Sequence, residues 1–216
     1  MNTPRPATGR RFVLGISGAS GAAYSLRLLE LLLTGGAETH VVVTPYGRRL
    51  LFDEKGVRGL GLTDLLPQFS DDPRAEELAS RLIMHPSKDV GAVIASGSFL
   101  HDGMVVLPCS SASLGAIATG AGSNLLTRAA VVALKERRPL IICHRETPLS
   151  LIDIENYRTL ALAGAIVCPT NPGFYLNPRR VDDLVDFIVG KALDLLGVEH
   201  DLATRWAQPP GDAEGG

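Results

Sequence analysis

Residues 12–21, Phe12-Val-Leu-Gly-Ile-Ser-Gly-Ala-Ser-Gly21, decide the fold. An apolar run passes straight into small residues, and a helical pattern over residues 22–33 begins at once. A strand that turns through glycine and serine into a helix is the opening of a βαβ unit. Small residues let backbone N–H groups approach a phosphate, and a helix N-terminus adds positive potential. Ser17 and Ser20 add hydroxyl donors. The spacing is GxxGxxG rather than the dinucleotide GxGxxG, and no lysine follows as in a Walker loop. The next apolar run ends in Thr44-Pro45, where a NAD site would offer an acidic ribose acceptor. A mononucleotide phosphate suits this turn better than NAD or ATP; a tight turn with no ligand is the alternative.

The same alternation continues outward. Near-continuous hydrophobic runs at residues 12–16, 39–43, 104–107, 139–143 and 165–168 predict strands covered on both faces. Patterns at 22–33, 113–118, 127–137, 149–163 and 181–196 predict helices between them. The expected fold is a single α/β domain over residues 11–206, Rossmann-like or flavodoxin-like, with a parallel sheet and helices on both faces. Ligands in such folds bind beyond the carboxyl ends of the strands. Residues 56–85 read as an insertion over the sheet with one helix at 74–84. Residues 1–10 and 207–216 read as disordered tails.

With 216 residues, 45% hydrophobic and 20% charged, the chain suits one well-buried domain. A net charge of −2 makes no electrostatic case for nucleic acid or an anionic membrane. No run reaches the roughly 18–20 apolar residues of a spanning helix, and the expected location is cytoplasmic. Cys109, Cys143 and Cys168 show no CxxC spacing and the five histidines no HxxxH pair, so buried free thiols and no metal are expected.

Further motifs lie at the expected carboxyl ends. Pro108-Cys-Ser-Ser-Ala-Ser113 follows one strand; its serines suit a helix cap, a phosphate or a flavin edge. His144-Arg-Glu-Thr-Pro148 ends another, placing charge where an apolar strand meets the ligand side. Arg128 and Lys135 are seven apart on one predicted helix and share a face. Asn171-Pro-Gly-Phe-Tyr175 is a rigid turn that presents a phenol. Asp182, Asp183 and Asp186 are superficially like a magnesium motif, but their place at a helix start suits the helix dipole.

The blocks GISGASGAAYSLRLLELL, MVVLPCSSASLGAIATG, NLLTRAAVVALKERRPLIICHRETP, GAIVCPTNPGFYLNP and VDDLVDFIVGKALDLLG closely resemble the UbiX flavin prenyltransferases, in order from about residue 11 to 206. The resemblance implies reduced FMN as co-substrate, dimethylallyl monophosphate as donor, prenylated FMN as product and no metal. It also implies a homododecamer with sites between subunits, and a UbiD-type decarboxylase that receives the product. On this chain the implied flavin contacts are Gly18, Ala19, Ser20, Thr44, Ser110, Ser111, Ala112, Ser113 and Arg145. The implied donor contacts are Arg128 (from a neighbouring subunit), Lys135, Arg145, Tyr175, Lys191 and Trp206. Catalytic roles fall to Ser20, Glu54, Lys135 and Glu146. Some relatives carry arginine where this chain has Lys191, which keeps the charge and loses bidentate geometry. A flavin-dependent cysteine decarboxylase of the phosphopantothenoylcysteine type shares the glycine-rich start, but its PxMNxxMW-like clamp is missing from this sequence. A flavin-binding protein without catalysis would not need basic residues beside paired acids.

Overall fold

The computed structural model describes residues 4–202. One sheet contains β1 (Arg11–Ile16), β2 (Glu38–Val43), β3 (Leu82–His85), β4 (Gly103–Cys109), β5 (Leu140–His144) and β6 (Ile166–Val167). Its helices are α1 (Ala22–Thr34), α2 (Pro45–Lys55), α3 (Leu62–Leu65), α4 (Ala75–Ser80), α5 (Ser111–Ala118), α6 (Leu125–Lys135), α7 (Leu151–Ala163) and α8 (Val181–Leu196). Every strand pairing is parallel, in the order β3-β2-β1-β4-β5-β6. From β1 the chain winds outward through β2 to β3; it then returns to β4 and winds the other way to β6. The connections leaving β1 and β4 therefore diverge, and a crevice opens between their carboxyl ends.

Alternate side chains of the strands divide the core into two layers. Phe12, Leu14, Ile16, Val41, Val43, Val105, Leu107, Ile141 and Cys143 pack with leucines of α1 and with α8. Val13, Val42, Met104, Val106, Leu140 and Ile142 pack with α5 and α6 on the other face. Gly15 allows the closest approach on that second face, since a Cβ there would lie 2.9 Å from the Leu126 Cγ. Hydroxyl or amide caps start the helices that follow the sheet's carboxyl edge: Thr44 for α2, Ser110 for α5 and Ser150 for α7, with Asn124 capping α6. Left-handed glycines Gly56, Gly164 and Gly197 end α2, α7 and α8.

Three expectations change. The helix expected at 74–84 stops after α4, and residues 82–85 form the edge strand β3, with Leu82 opposite Thr39 and His85 opposite Val42. Pairing with β2 outweighs the local helical pattern, so the 56–85 stretch completes the sheet rather than lying over it. Thr44-Pro45 does not merely end a strand: threonine caps and proline starts α2. Residues 5–10, expected within a disordered tail, dock against the end of α8. Arg5 exchanges backbone bonds with Gly197 and Glu199, Ala7 is buried, and the Arg10 guanidinium donates to the Leu196 and Gly197 carbonyls. Those carbonyls are among the orphan acceptors at a helix C-terminus, which gives a cationic side chain a place to bind. Trp206 and the 207–216 tail lie outside the described residues.

Candidate active site

Ser17 stitches the two loops of the crevice. Its hydroxyl is buried, donates to the Pro108 carbonyl at 2.9 Å and accepts from the Ser110 N–H at 2.8 Å. The Ser17 N–H also reaches the Pro108 carbonyl, at 3.2 Å. Ser17 is therefore a structural tie and not the exposed donor that the motif suggested. Beyond it, Gly18 rests against the start of α2, where a Cβ would come 2.5 Å from the Tyr46 Cβ. The Thr44 hydroxyl accepts from the Gly47 N–H at 3.0 Å. Residues 18–20 and the first turn of α2 thus form one wall, and among the described residues the Ser20 hydroxyl has no hydrogen-bond partner.

The N-terminus of α1 is already filled. The Glu54 carboxylate accepts from the Gly21 N–H at 3.0 Å and the Ala22 N–H at 2.8 Å. A second anion on those two groups would meet that charge, so ligand donors in this loop are confined to its earlier residues. Arg145 closes the other side: its N–H donates to the Cys109 carbonyl at 3.0 Å and its Nε to the Ser20 carbonyl at 3.4 Å. Tyr24 stands beside it. Burial raises the Tyr24 phenol pKa, and the Arg145 charge opposes that rise.

Ser110 and Ser113 lie at the start of α5, where the Ser110 hydroxyl accepts from the Ser113 N–H at 3.3 Å. The N–H groups of Ser111 and Ala112, in the same first turn, have no partner within the helix. Ser111 is held from behind by His144 Nε2 at 3.0 Å, and His144 Nδ1 lies 2.7 Å from the Tyr157 hydroxyl. Asp153, at the start of α7, is held below its usual carboxylate range chiefly by the Ser150 hydroxyl and N–H, with a smaller contribution from Ser111. Ser111, His144 and Tyr157 thus form one hydrogen-bonded chain behind the start of α5. Burial pushes the Tyr157 phenol up to about 12, which keeps it a donor, and pushes His144 down, which keeps it neutral.

Glu146 is exposed on the loop after β5, its carboxylate accepting from the Thr147 N–H at 3.1 Å. Tyr175, on the loop after β6, packs edge-on against Phe187 of α8 with centroids 5.8 Å apart. Lys191, also on α8, faces Asp194 at 3.8 Å. Arg128 and Lys135 share a face as their spacing predicted, but that face lines a different cavity. It measures about 470 Å³ and includes Ser96, Gly97, Gly120 and Gly122, and contains none of Arg145, Tyr175 and Lys191. Another cavity, of about 720 Å³, lies between α1, α3 and α8, and none of the expected site residues lines it.

Sequence reasoning missed Tyr24, the tie made by Ser17 and the Ser111–His144–Tyr157 chain. A serine followed by a glycine-rich turn gives no sign of a partner 93 residues away. The signal for His144 was only its place between an apolar strand and Arg145.

Among the described residues no helix is long and apolar enough to cross a membrane, and no group of three or more metal-ligating side chains occurs. The model of the Flavoprotein family matches residues 1–193. The chain is 43% identical to a flavin prenyltransferase UbiX of Halalkalibacterium halodurans, over 91% of this chain and 93% of that one. The solved structure of AnUbiX (PadA1) in complex with FMN and dimethylallyl pyrophosphate superposes with a TM-score of 0.77 at 34% identity, covering 92% of this chain and 98% of that one. A dodecameric FMN-dependent UbiX-like decarboxylase from Escherichia coli O157:H7 gives a TM-score of 0.79 at 36% identity, over 92% and 100% of the two chains.

Proposed function

Because the chain belongs to the flavoprotein family and, within it, to the flavin prenyltransferases, we propose that it binds reduced FMN in the crevice between β1 and β4 and prenylates it with dimethylallyl monophosphate. The observation that carries this is the convergence of the 17–21 and 110–113 loops at the strand-order reversal, with Arg145 bridging them through Ser20 and Cys109. The flavin supplies nucleophilic N5 and C6, and gains a fourth ring when the prenyl group closes on C6.

The residues suit that group. Gly18, Ala19 and Ser20, beside Thr44, offer backbone and hydroxyl donors to the flavin phosphate where a side chain at position 18 would collide. Ser110, Ser111, Ala112 and Ser113 border the ring system, with Ser111 contributing its N–H while its hydroxyl is engaged by His144. Arg145 faces both the flavin and the donor phosphate.

Breaking an allylic C–O bond leaves negative charge on phosphate and positive charge on the prenyl carbon. Lysine and arginine stabilise the first, and aromatic faces, among them Trp206, shield the second. Lys191 and Tyr175 serve the phosphate from the same chain. Arg128 and Lys135, which open on a separate cavity, serve the crevice of a neighbouring copy in a homododecamer. Glu146 and Ser20 move protons around N5 and C6. Glu54, bonded to Gly21 and Ala22, also holds the turn in shape.

We place the enzyme in the cytoplasm, where its three free cysteines stay reduced. Its product passes to a UbiD-type decarboxylase. The test is to filter the small-molecule product of a reaction with reduced FMN and dimethylallyl monophosphate and add it to such a decarboxylase in its apo form. Restored decarboxylation supports the proposal; a decarboxylase that stays silent while authentic prenylated FMN activates it sinks the proposal.

A further inference from the structure

Cys143 and Cys168 have no place in the flavin site, yet they face each other across the last two strands. β5 and β6 pair Ile141 with Ile166 and Ile142 with Val167, so the next step along both brings Cys143 against Cys168. The Cys168 N–H still donates to the Ile142 carbonyl, at 2.9 Å. Neighbouring strands run about 4.8 Å apart, within the roughly 4.4–6.8 Å Cα separation that a disulfide spans. Both side chains belong to the same layer, Cys143 inside the core cluster and Cys168 packed against it. β6 ends at Val167, so Cys168 begins a loop and has freedom to close that a mid-strand residue lacks.

The two thiols are unlike. Cys143 is fully buried, whereas Cys168 is half-buried. Interaction between the two thiols raises the pKa of Cys143 and lowers that of Cys168, and the nearby Lys191 ammonium also favours the Cys168 thiolate. Cys109 offers the contrast: it is buried, and burial alone pushes its thiol up.

We propose that Cys143 and Cys168 are a peroxide-oxidisable thiol pair whose disulfide restrains the donor-phosphate side of the active site. The Cys168 thiolate attacks one peroxide oxygen and the O–O bond breaks, giving a sulfenic acid on Cys168 and hydroxide, which the proton released when the Cys168 thiol ionised converts to the first water. The Cys143 sulfur then attacks the Cys168 sulfur. Its proton leaves with the sulfenic hydroxyl as a second water, and the S–S bond forms. Two thiols are oxidised and one peroxide is reduced to two waters. Cross-linking ties the start of the 168–177 loop to the end of β5, beside His144 and Arg145, and removes the thiolate next to Lys191. Disulfides in a reducing compartment act transiently in this way.

The chemical half of this proposal is independent of the prenyltransferase reading, while its effect on the donor rests on that reading. The experiment treats the reduced, FMN-loaded protein with hydrogen peroxide, caps free thiols by alkylation, and combines intact mass, peptide mapping and kinetics. The expected product is lighter by two hydrogens and carries a single Cys143–Cys168 cross-linked peptide pair. Its KM for dimethylallyl monophosphate rises on the order of tenfold or more, the scale of a displaced phosphate contact, while FMN affinity is unchanged and dithiothreitol restores the original value. Cys168→Ser, at the half-buried position, should be resistant to all of this. In Cys143→Ala a dimedone-reactive sulfenic acid should persist on Cys168. Sulfinic acid or mixed adducts without the cross-link overturn the thiol pair. A cross-link that leaves the donor KM unmoved in an enzyme that does prenylate flavin overturns the regulatory role.

Discussion

Replacing Ser17 by alanine removes one oxygen and breaks the three side-chain contacts by which its hydroxyl holds Pro108 and Ser110. The Pro108 carbonyl keeps a bond from the Ser17 N–H at 3.2 Å, so its loss is partial. The Ser110 N–H loses its 2.8 Å acceptor. It lies beneath a hydroxyl site that is only 1% exposed, and water has little access to replace the missing oxygen. An unsatisfied buried donor costs about 1–3 kcal/mol, and the lost bond itself about 1 kcal/mol net. Because Ser110 is half-buried, about 2 kcal/mol is the expected total. Urea unfolding monitored by circular dichroism should show a lower midpoint at unchanged slope. FMN affinity should fall with it, on the order of tenfold for each 1.4 kcal/mol by which the loops separate. A Ser17→Ala protein within about 0.5 kcal/mol of wild type, with unaltered FMN affinity, would refute the idea that this hydroxyl holds the crevice together.

Gly18→Ala should lower both stability and FMN affinity, because its Cβ would sit 2.5 Å from the Tyr46 Cβ and push α2 from the loop; urea unfolding and fluorescence titration of FMN measure the two effects. His144 is buried and neutral, with its pKa held below the usual value of about 6.5. The unfolded chain then binds more protons as pH falls through 6.5, so this contribution is complete above that value and declines below it; His144→Gln should flatten the slope of unfolding free energy between pH 7 and pH 5. Glu146→Gln should leave flavin binding intact and slow ring closure, seen as flavin that carries the prenyl group without the absorbance of the finished product. Arg128→Ala and Arg145→Ala should each be nearly inactive alone, yet mixed oligomers refolded from both should recover a fraction of wild-type turnover. No recovery would mean that Arg128 acts within its own chain.

The sheet was legible because buried parallel strands announce themselves as continuous apolar runs, and five of six were placed to within a few residues. β3 was not, since Leu82-Ile-Met-His85 follows helix-forming residues and becomes a strand only by pairing with β2. The crevice loops were legible for the opposite reason: glycine and serine interrupt apolar runs at the one edge where ligands bind. Contacts between loops were hidden. Neither Ser17 nor Glu54 reveals its partner in sequence, because both act on backbone N–H groups, which every residue but proline carries. The shared face of Arg128 and Lys135 followed from helical spacing, whereas the direction of that face depends on how α6 packs on the sheet.

The most direct measurement is the mass of the flavin recovered from an anaerobic incubation of the protein with reduced FMN and dimethylallyl monophosphate, with the diphosphate in parallel. Prenyl transfer predicts a flavin heavier by one C5 prenyl unit, formed from the monophosphate. FMN of unchanged mass from both donors, in a preparation that binds FMN, would contradict it.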